Sequence, residues 1–250
     1  MKIIAITQAR LGSTRLPKKI FKKCLGKTFF EIHIDRVKKS KLIDEIIVAT
    51  TDLDQDFPIV ELAKKLNVNY FQGSESDVLD RFYCASQKYK PDYIVRLTSD
   101  CPLIDPLLID KIVNLAIISK VDYVSNTLSE DFPDGQDIEV FNYKSLELAW
   151  KNSNLKSERE HVTPFIRKNS TYNGKNMFSS IDYKSPKNYN MVRMTLDEIE
   201  DYHTLVNLIK FNGLNKSWIE YTEYMIKNTG IVKNNFILRN EGYNKSVENE

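Results

Sequence analysis

The chain has 250 residues, 42% of them apolar and 28% charged, enough to bury one large core and too ordinary in composition for a wholly disordered protein. Thirty-six Lys and Arg against 34 Asp and Glu leave a formal charge of +2, which argues against a bulk nucleic-acid binder. The balance is uneven. The first 30 residues hold eight bases (Lys2, Arg10, Arg15, Lys18, Lys19, Lys22, Lys23, Lys27) and no acid, so this segment is expected to meet something anionic.

Residues 2–7 are a short β-branched run that predicts a buried strand. The polar stretch 8–19 follows, then a helical pattern over 29–37. Residues 45–50 predict a second strand, a helix starts near Pro58, and 69–71 form a weak third strand. A helix over 77–89 puts Val78, Leu79, Phe82 and Ala85 on one face. Residues 93–97 are a strand ending at Thr98-Ser99-Asp100, 106–119 a helix and 122–125 a strand. Beyond 126 the alternation breaks: strands are predicted at 137–142, 177–181 and 191–196, and helices at 144–150, 157–168, 198–210 and 217–227. Residues 244–250 read as a frayed tail.

Strands alternating with helices predict an α/β sheet, mostly parallel, with helices on both faces. One domain over 1–250 is expected, with an inserted acceptor or dimerisation subregion at about 127–190. Ligands of such sheets sit outside the carboxyl ends of the strands, so 8–19, 51–52 and 99–105 are the segments to inspect for chemistry. The three cysteines, Cys24, Cys84 and Cys101, suit neither a disulfide framework nor a zinc site and read as reduced thiols. The opening MKIIAIT is too short for a signal core, and no apolar run approaches the ~20 residues of a membrane span. A soluble cytoplasmic protein without membrane insertion is expected.

The stretch QARLGSTRLPKK combines Gly12, which lets backbone approach a ligand, with the hydroxyls of Ser13 and Thr14. Arg10 and Arg15 supply planar forks suited to phosphate, and Lys19 a point charge. It is neither a Walker loop nor a GxGxxG fingerprint, and a solvated basic loop is the other reading. Asp100 and Asp197 each end a predicted strand. Mg²⁺ is a hard ion held through one or two carboxylates plus substrate phosphates, and two strand-end aspartates facing a basic loop would meet that need. Asp105 reads better as a helix cap, whereas for Asp197 cap and metal ligand are equally open.

ITQARLGSTRLPKKIF, GSESDVLDRFY, RLTSDCPLIDPLLID, DGQDIEVFNYKSLELAW, SEREHVTPFI and MTLDEIEDYHTL occur in that order. Together they resemble the SpsF-like branch of the cytidylyltransferase family, relatives of the synthetases of CMP-Kdo and CMP-sialic acids. The resemblance spans about residues 3–210 and implies a Rossmann-like nucleotidyltransferase fold, usually homodimeric. It implies that Arg10, Gly12, Ser13, Thr14, Arg15 and Lys19 wrap the CTP triphosphate, that Asp100 and Asp197 coordinate Mg²⁺, and that Gly73, Ser74 and Asp77 lie near the base. Two departures stand out. Lys18 occupies a position where the family commonly has Gly, so that turn is expected to differ, and MTLDE lacks the family's proline after the aspartate.

The implied reaction moves CMP from CTP to an acceptor hydroxyl or phosphate and releases pyrophosphate. Asp137, Glu139 and His161 are the acceptor-side candidates. Alternation puts the two carboxylates on one strand face, which is either an acceptor surface or the wet side of a sheet edge. His161 reads as acceptor contact, subunit contact or structural residue. His33 and His203 read as packing residues, Cys101 as a buried small residue, and Tyr70, Phe71, Phe82 and Tyr83 as core. Competing readings are a GT-A type glycosyltransferase using Asp52-Leu53-Asp54, a nucleotidyltransferase for another NTP, and a nucleotide-binding protein without turnover.

Overall fold

The computed structural model describes residues 1–228, 241–248 and 250. Its centre is a seven-stranded sheet of order β5-β4-β1-β6-β8-β7-β9. β1 (Ile3–Gln8) pairs in parallel with β4 (Glu45–Thr51) on one side and β6 (Tyr93–Thr98) on the other, and β4 pairs in parallel with β5 (Asn69–Gly73). A strand flanked on both sides and covered on both faces has no wet side, which is why IIAIT is apolar without alternation. β8 (Glu139–Asn142) runs antiparallel between β6 and β7 (Tyr123–Ser125), and β9 (Ser180–Asp182) closes that edge in parallel with β7. A small hairpin, β2 (Lys23–Cys24) and β3 (Lys27–Thr28), leads into α1.

Helices cover both faces. Alternate sheet residues Ala5, Val48 and Val95 face an apolar layer containing Phe30 and Ile34 of α1 (Phe29–Val37), Ile59 of α2 (Phe57–Lys65) and Ile109 and Ile112 of α4 (Pro106–Ser119). Ile4, Ile6, Ile47 and Ile94 face the opposite layer, with Leu79 and Phe82 of α3 (Val78–Gln87), Leu146 of α5 (Tyr143–Asn152) and Ile166 of α7 (Pro164–Lys168). A third cluster joins Phe29 and Ile32 to Met194, Leu205 and Leu208 of α8 (Ile199–Asn212), and to Tyr221 of α9 (Trp218–Lys227).

Several predicted boundaries shift for identifiable reasons. The single helix expected over 157–168 is two, α6 (Lys156–His161) and α7, because Val162 adopts φ 72° and Pro164 opens a new first turn. Residues 191–196 form no strand. Only Arg193 makes a β-bridge, to Asp134, before the chain turns into α8. The tail expected over 244–250 is largely helical, since α10 (Glu241–Glu248) packs on α6. Tyr70 is exposed on β5 and not core, whereas Phe82 and Tyr83 are buried. Lys18 adopts the left-handed conformation that glycine favours, at φ 52° and ψ 32°.

Candidate active site

The stretch after β1 is built by hydrogen bonds from its own backbone. Ala9 N–H extends the ladder to Ala49 O at 3.1 Å. Leu11 N–H donates to Asp56 Oδ1 at 2.6 Å, and the other oxygen of that buried carboxylate takes the Thr51 hydroxyl. Leu11 and Leu16 are buried, so the loop is pinned at both ends while Arg10, Thr14 and Arg15 stay exposed. The left-handed Lys18 then turns the chain into a 3-10 turn at Lys19–Phe21, anchored by buried Ile20. This conformation sends Lys19 inward.

Lys19 Nζ donates to Asp100 Oδ2 at 2.8 Å and to Asp197 Oδ1 at 2.7 Å. The two aspartates are brought together by backbone contacts: Leu196 N–H donates to Asp100 O at 2.8 Å, and the Thr195 hydroxyl to the same carbonyl at 3.2 Å. Gly135 makes this possible. Its φ is 99°, and a Cβ there would lie 2.5 Å from the Met194 carbonyl carbon. Met194 N–H accordingly reaches Asp134 O at 2.6 Å. Asp197 is not a helix cap, because Asp201 takes the N–H groups of both Asp197 and Glu198 at 2.9 Å. That frees the Asp197 carboxylate for Lys19, for Arg15 at 3.1 Å and for Arg193 at 2.9 Å. Asp105, by contrast, caps α4 through Leu107 and Leu108.

The electrostatics are those of a tightly neutralised cluster. Burial disfavours charge on Asp100 and Lys19, but their mutual attraction wins: Lys19 and the Thr98 hydroxyl hold Asp100 well below the usual carboxylate range, and the two aspartates hold Lys19 above its ordinary value. Arg193 is likewise raised, burial being outweighed by Asp201, Asp134 and Asp197. His33 lies beneath the cluster, with Nε2 at 2.9 Å from the Thr7 hydroxyl and Nδ1 at 2.9 Å from Cys101 O. Burial pulls it down to about 4, so it is neutral and tethers the Asp100-Cys101 turn to β1 and α1. Burial and the neighbouring Asp100 push the Cys101 thiol well up, which suits a packing role.

The remaining predicted residues fall on two sides of this centre. Towards β5, Gly12 lies close to Glu75, which pairs with Arg10 at 3.4 Å. Ser13 accepts from Leu16 N–H, Ser74 from Asp77 N–H, and Gly73 ends β5. Asp77 caps α3 through Asp80 N–H at 2.9 Å and takes Arg159 Nε at 2.9 Å. On the β8 side, Glu139 is 6% exposed and accepts from Arg96 Nη1 and, at 2.6 Å, from the Tyr123 hydroxyl. Because β8 lies inside the sheet, the wet-edge reading of Glu139 fails. Asp137 precedes β8 and is half-buried. His161 Nε2 lies 3.1 Å from the Ser246 hydroxyl, with its ring edge-on to Tyr243, so α10 is docked against it. Arg193, Arg96 and Arg81 were missed from sequence. The scarcity of arginine, nine in the chain, was the available signal.

Lys19 thus gathers Asp100, just after β6, and Asp197, just before α8, beneath a basic loop. The cytidylyltransferase family profile matches residues 4–237. The chain belongs to that family. It is therefore a nucleotidyltransferase, and its sheet is the Rossmann-like fold of this class. It is 35% identical to a cytidylyltransferase structure from Leptospira borgpetersenii, with a TM-score of 0.88 over 96% of this chain and 100% of that one. It is 32% identical to the spore coat polysaccharide biosynthesis protein SpsF of Bacillus subtilis over 84% of this chain and 88% of the relative. It is 42% identical to an uncharacterized protein of Methanocaldococcus jannaschii over 99% and 100% of the two chains. Asp52 and Asp54, the glycosyltransferase alternative, are both exposed beyond β4 and not gathered at this centre.

Among the described residues no cluster of three or more His, Cys, Asp or Glu forms a metal cage. Asp100 and Asp197 are nevertheless hard oxygen donors already converging on one cationic atom, which fits an ion that keeps most of its coordination for water and phosphate. No helix among the described residues is long and apolar enough to cross a membrane.

Proposed function

We propose that the protein is a Mg²⁺-dependent cytidylyltransferase that moves CMP from CTP to a sugar, ulosonic acid or sugar- or polyol-phosphate acceptor, releasing pyrophosphate, in surface polysaccharide or glycoconjugate biosynthesis. The observation that carries this reading is the convergence of Asp100 and Asp197 on Lys19 under the Arg10–Arg15 loop. The name of the Bacillus relative supports the polysaccharide setting.

In this reading Arg10, Arg15 and Lys19, with the backbone of Gly12, Ser13 and Thr14, hold the triphosphate, and Gly73, Ser74 and Asp77 border the nucleoside. Asp137 would face the acceptor, while Glu139, whose oxygens are taken by Arg96 and Tyr123, and His161, covered by α10, would support that side from behind. The protein supplies no covalent nucleophile. The acceptor oxygen attacks the α-phosphorus in line, the bond to the bridging oxygen breaks, and pyrophosphate leaves against the cationic loop. Mg²⁺ held by Asp100 and Asp197 would act as Lewis acid on the phosphate oxygens and offset charge developing there. Lys19 and Arg15 must then exchange carboxylate for phosphate partners, which keeps the cleft near neutrality in both states. Three free thiols support a cytoplasmic setting, and the family resemblance supports a homodimer, which light scattering would test.

The test is Mg²⁺-dependent pyrophosphate release from CTP across an acceptor library, run beside the other NTPs. Release with a sugar-type acceptor and CTP is expected. Turnover undiminished by chelating Mg²⁺, or equal with all four NTPs, would overturn the reading.

A further inference from the structure

Arg193 stands at the single β-bridge between the 191–196 segment and Asp134, and its side chain is 10% exposed. Its donors are divided among three carboxylates. Nε and Nη2 fork onto the two oxygens of Asp201 at 2.9 and 3.1 Å, and Nη1 takes Asp134. Nη2 also reaches Asp197 Oδ2 at 2.9 Å. The fork cannot swing away, because the Asp201 side chain, 3% exposed, is itself fixed by the N–H groups of Asp197 and Glu198. A planar guanidinium held at two corners keeps its third contact in one place.

The consequence falls on Asp197. Its Oδ2 is turned to Arg193, and its Oδ1 faces Lys19 at 2.7 Å and Arg15 at 3.1 Å. Asp197 therefore offers one oxygen to whatever cation stands in the cleft. No such clamp holds Asp100: its Oδ2 is on Lys19, and its Oδ1 has the Cys101 thiol, a weak donor, at 3.8 Å. Mg²⁺ demands a near-ideal octahedron and keeps most of it for water and phosphate, so one oxygen per carboxylate serves it. Ca²⁺ takes about six to eight oxygens at longer range and accepts both oxygens of a carboxylate. To give Ca²⁺ its second oxygen, Asp197 must surrender a charge-assisted hydrogen bond in a mostly buried place.

We propose that Arg193 sets the metal preference of the site: by occupying Asp197 Oδ2 it keeps that ligand to one oxygen and so favours Mg²⁺ over Ca²⁺. Arg193 is a positioning residue, acting through Asp197. The proposal rests on the metal-dependent CTP reading above and adds to it the residue that selects the ion.

The experiment is calorimetric binding of CTP to the full chain in saturating Mg²⁺, in saturating Ca²⁺ and in chelator. Wild type should bind CTP at least about 10-fold more tightly with Mg²⁺ than with Ca²⁺, the size of one charged hydrogen bond. In Arg193→Met the two affinities should come within about threefold of each other, as expected when the coupling partner is gone. Asp201→Asn should lower the ratio as well, because its amide oxygen keeps the two backbone N–H groups while its NH2 group meets Arg193 Nε and loosens the fork. A purely structural role for Arg193 would weaken binding with both metals alike and leave the ratio as it is. Equal affinity of wild type with the two metals would overturn the proposal, as would a full Mg²⁺ preference in Arg193→Met. If Arg193→Met does not fold, the ratio in Asp201→Asn decides in the same way. Wild type binding CTP as well in chelator as in Mg²⁺ would instead overturn the metal-dependent reading itself.

Discussion

Replacing Lys19 by methionine removes the one charge that holds Asp100 and Asp197 together, while keeping the length and packing of the stem. The two carboxylates then face each other across the space the ammonium filled. Breaking a buried ion pair by removing one partner costs about 3–5 kcal/mol. Here Asp197 keeps Arg15 and Arg193, and the Asp100 side chain is 28% accessible to water, so we expect less than that, about 2–3 kcal/mol. For a chain of this size that is a fall in Tm of about 4–12 °C. The loss should be relieved by a cation that takes the same place. Mg²⁺ or Mn²⁺ without nucleotide should raise the Tm of Lys19→Met, while wild type, whose own ammonium already fills the site, should respond little. The sign with pH follows too. A carboxylate crowded by a like charge has its folded pKa raised above the unfolded value, so the variant should regain stability as pH falls through that range. Thermal melts at pH 5 and 7.5, with and without the metal, measure all three effects. A Lys19→Met protein as stable as wild type in chelator, or one indifferent to divalent metal, would refute the cation-bridge account.

Asp197→Asn keeps shape but halves the charge of the proposed ligand pair, and should lower turnover by at least about 10³-fold, several kcal/mol of transition-state stabilisation, in a pyrophosphate-release assay. Gly135→Ala would put a Cβ 2.5 Å from the Met194 carbonyl carbon at φ 99°, so it should cost roughly 2–4 kcal/mol and most of the turnover by shifting Asp197, read by melts and rates together. Lys18→Gly, relieving a left-handed lysine, should gain about 0.5–1 kcal/mol, visible as a small rise in Tm. His33 is depressed to about 4 from 6.5, so the unfolded chain binds its proton first. Stability should therefore be intact above about pH 6.5 and fall by roughly 3 kcal/mol as pH drops to about 4, and denaturant titrations of His33→Gln should lose that slope.

The first half of the fold was legible because its signals are local. Short runs rich in β-branched and apolar residues mark β1, β4 and β6, and a proline after Asp105 marks the start of α4. The basic loop and Asp100 follow β1 and β6, where a parallel sheet places its ligands, whereas Asp197 ends no strand and is brought there by the Leu196–Asp100 backbone contact. The segment 191–196 was misread for an equally local reason: its apolar alternation is that of a strand, but the turn at Gly135 offers it a single bridge. The sheet order also corrected Glu139, whose side chain is buried only because β8 is inserted between β6 and β7.

From its sequence alone, then, this protein's α/β class was determined, and its basic loop and candidate metal ligands were singled out, because spacing and residue chemistry act between near neighbours. Only the tertiary structure decided that Lys19 meets an aspartate 178 residues away, that Asp197 is released from capping by Asp201, and that Arg193 takes its second oxygen. Those outcomes depend on which strands lie side by side and which competing partner reaches each charged group first. Both are settled only by folding the whole chain.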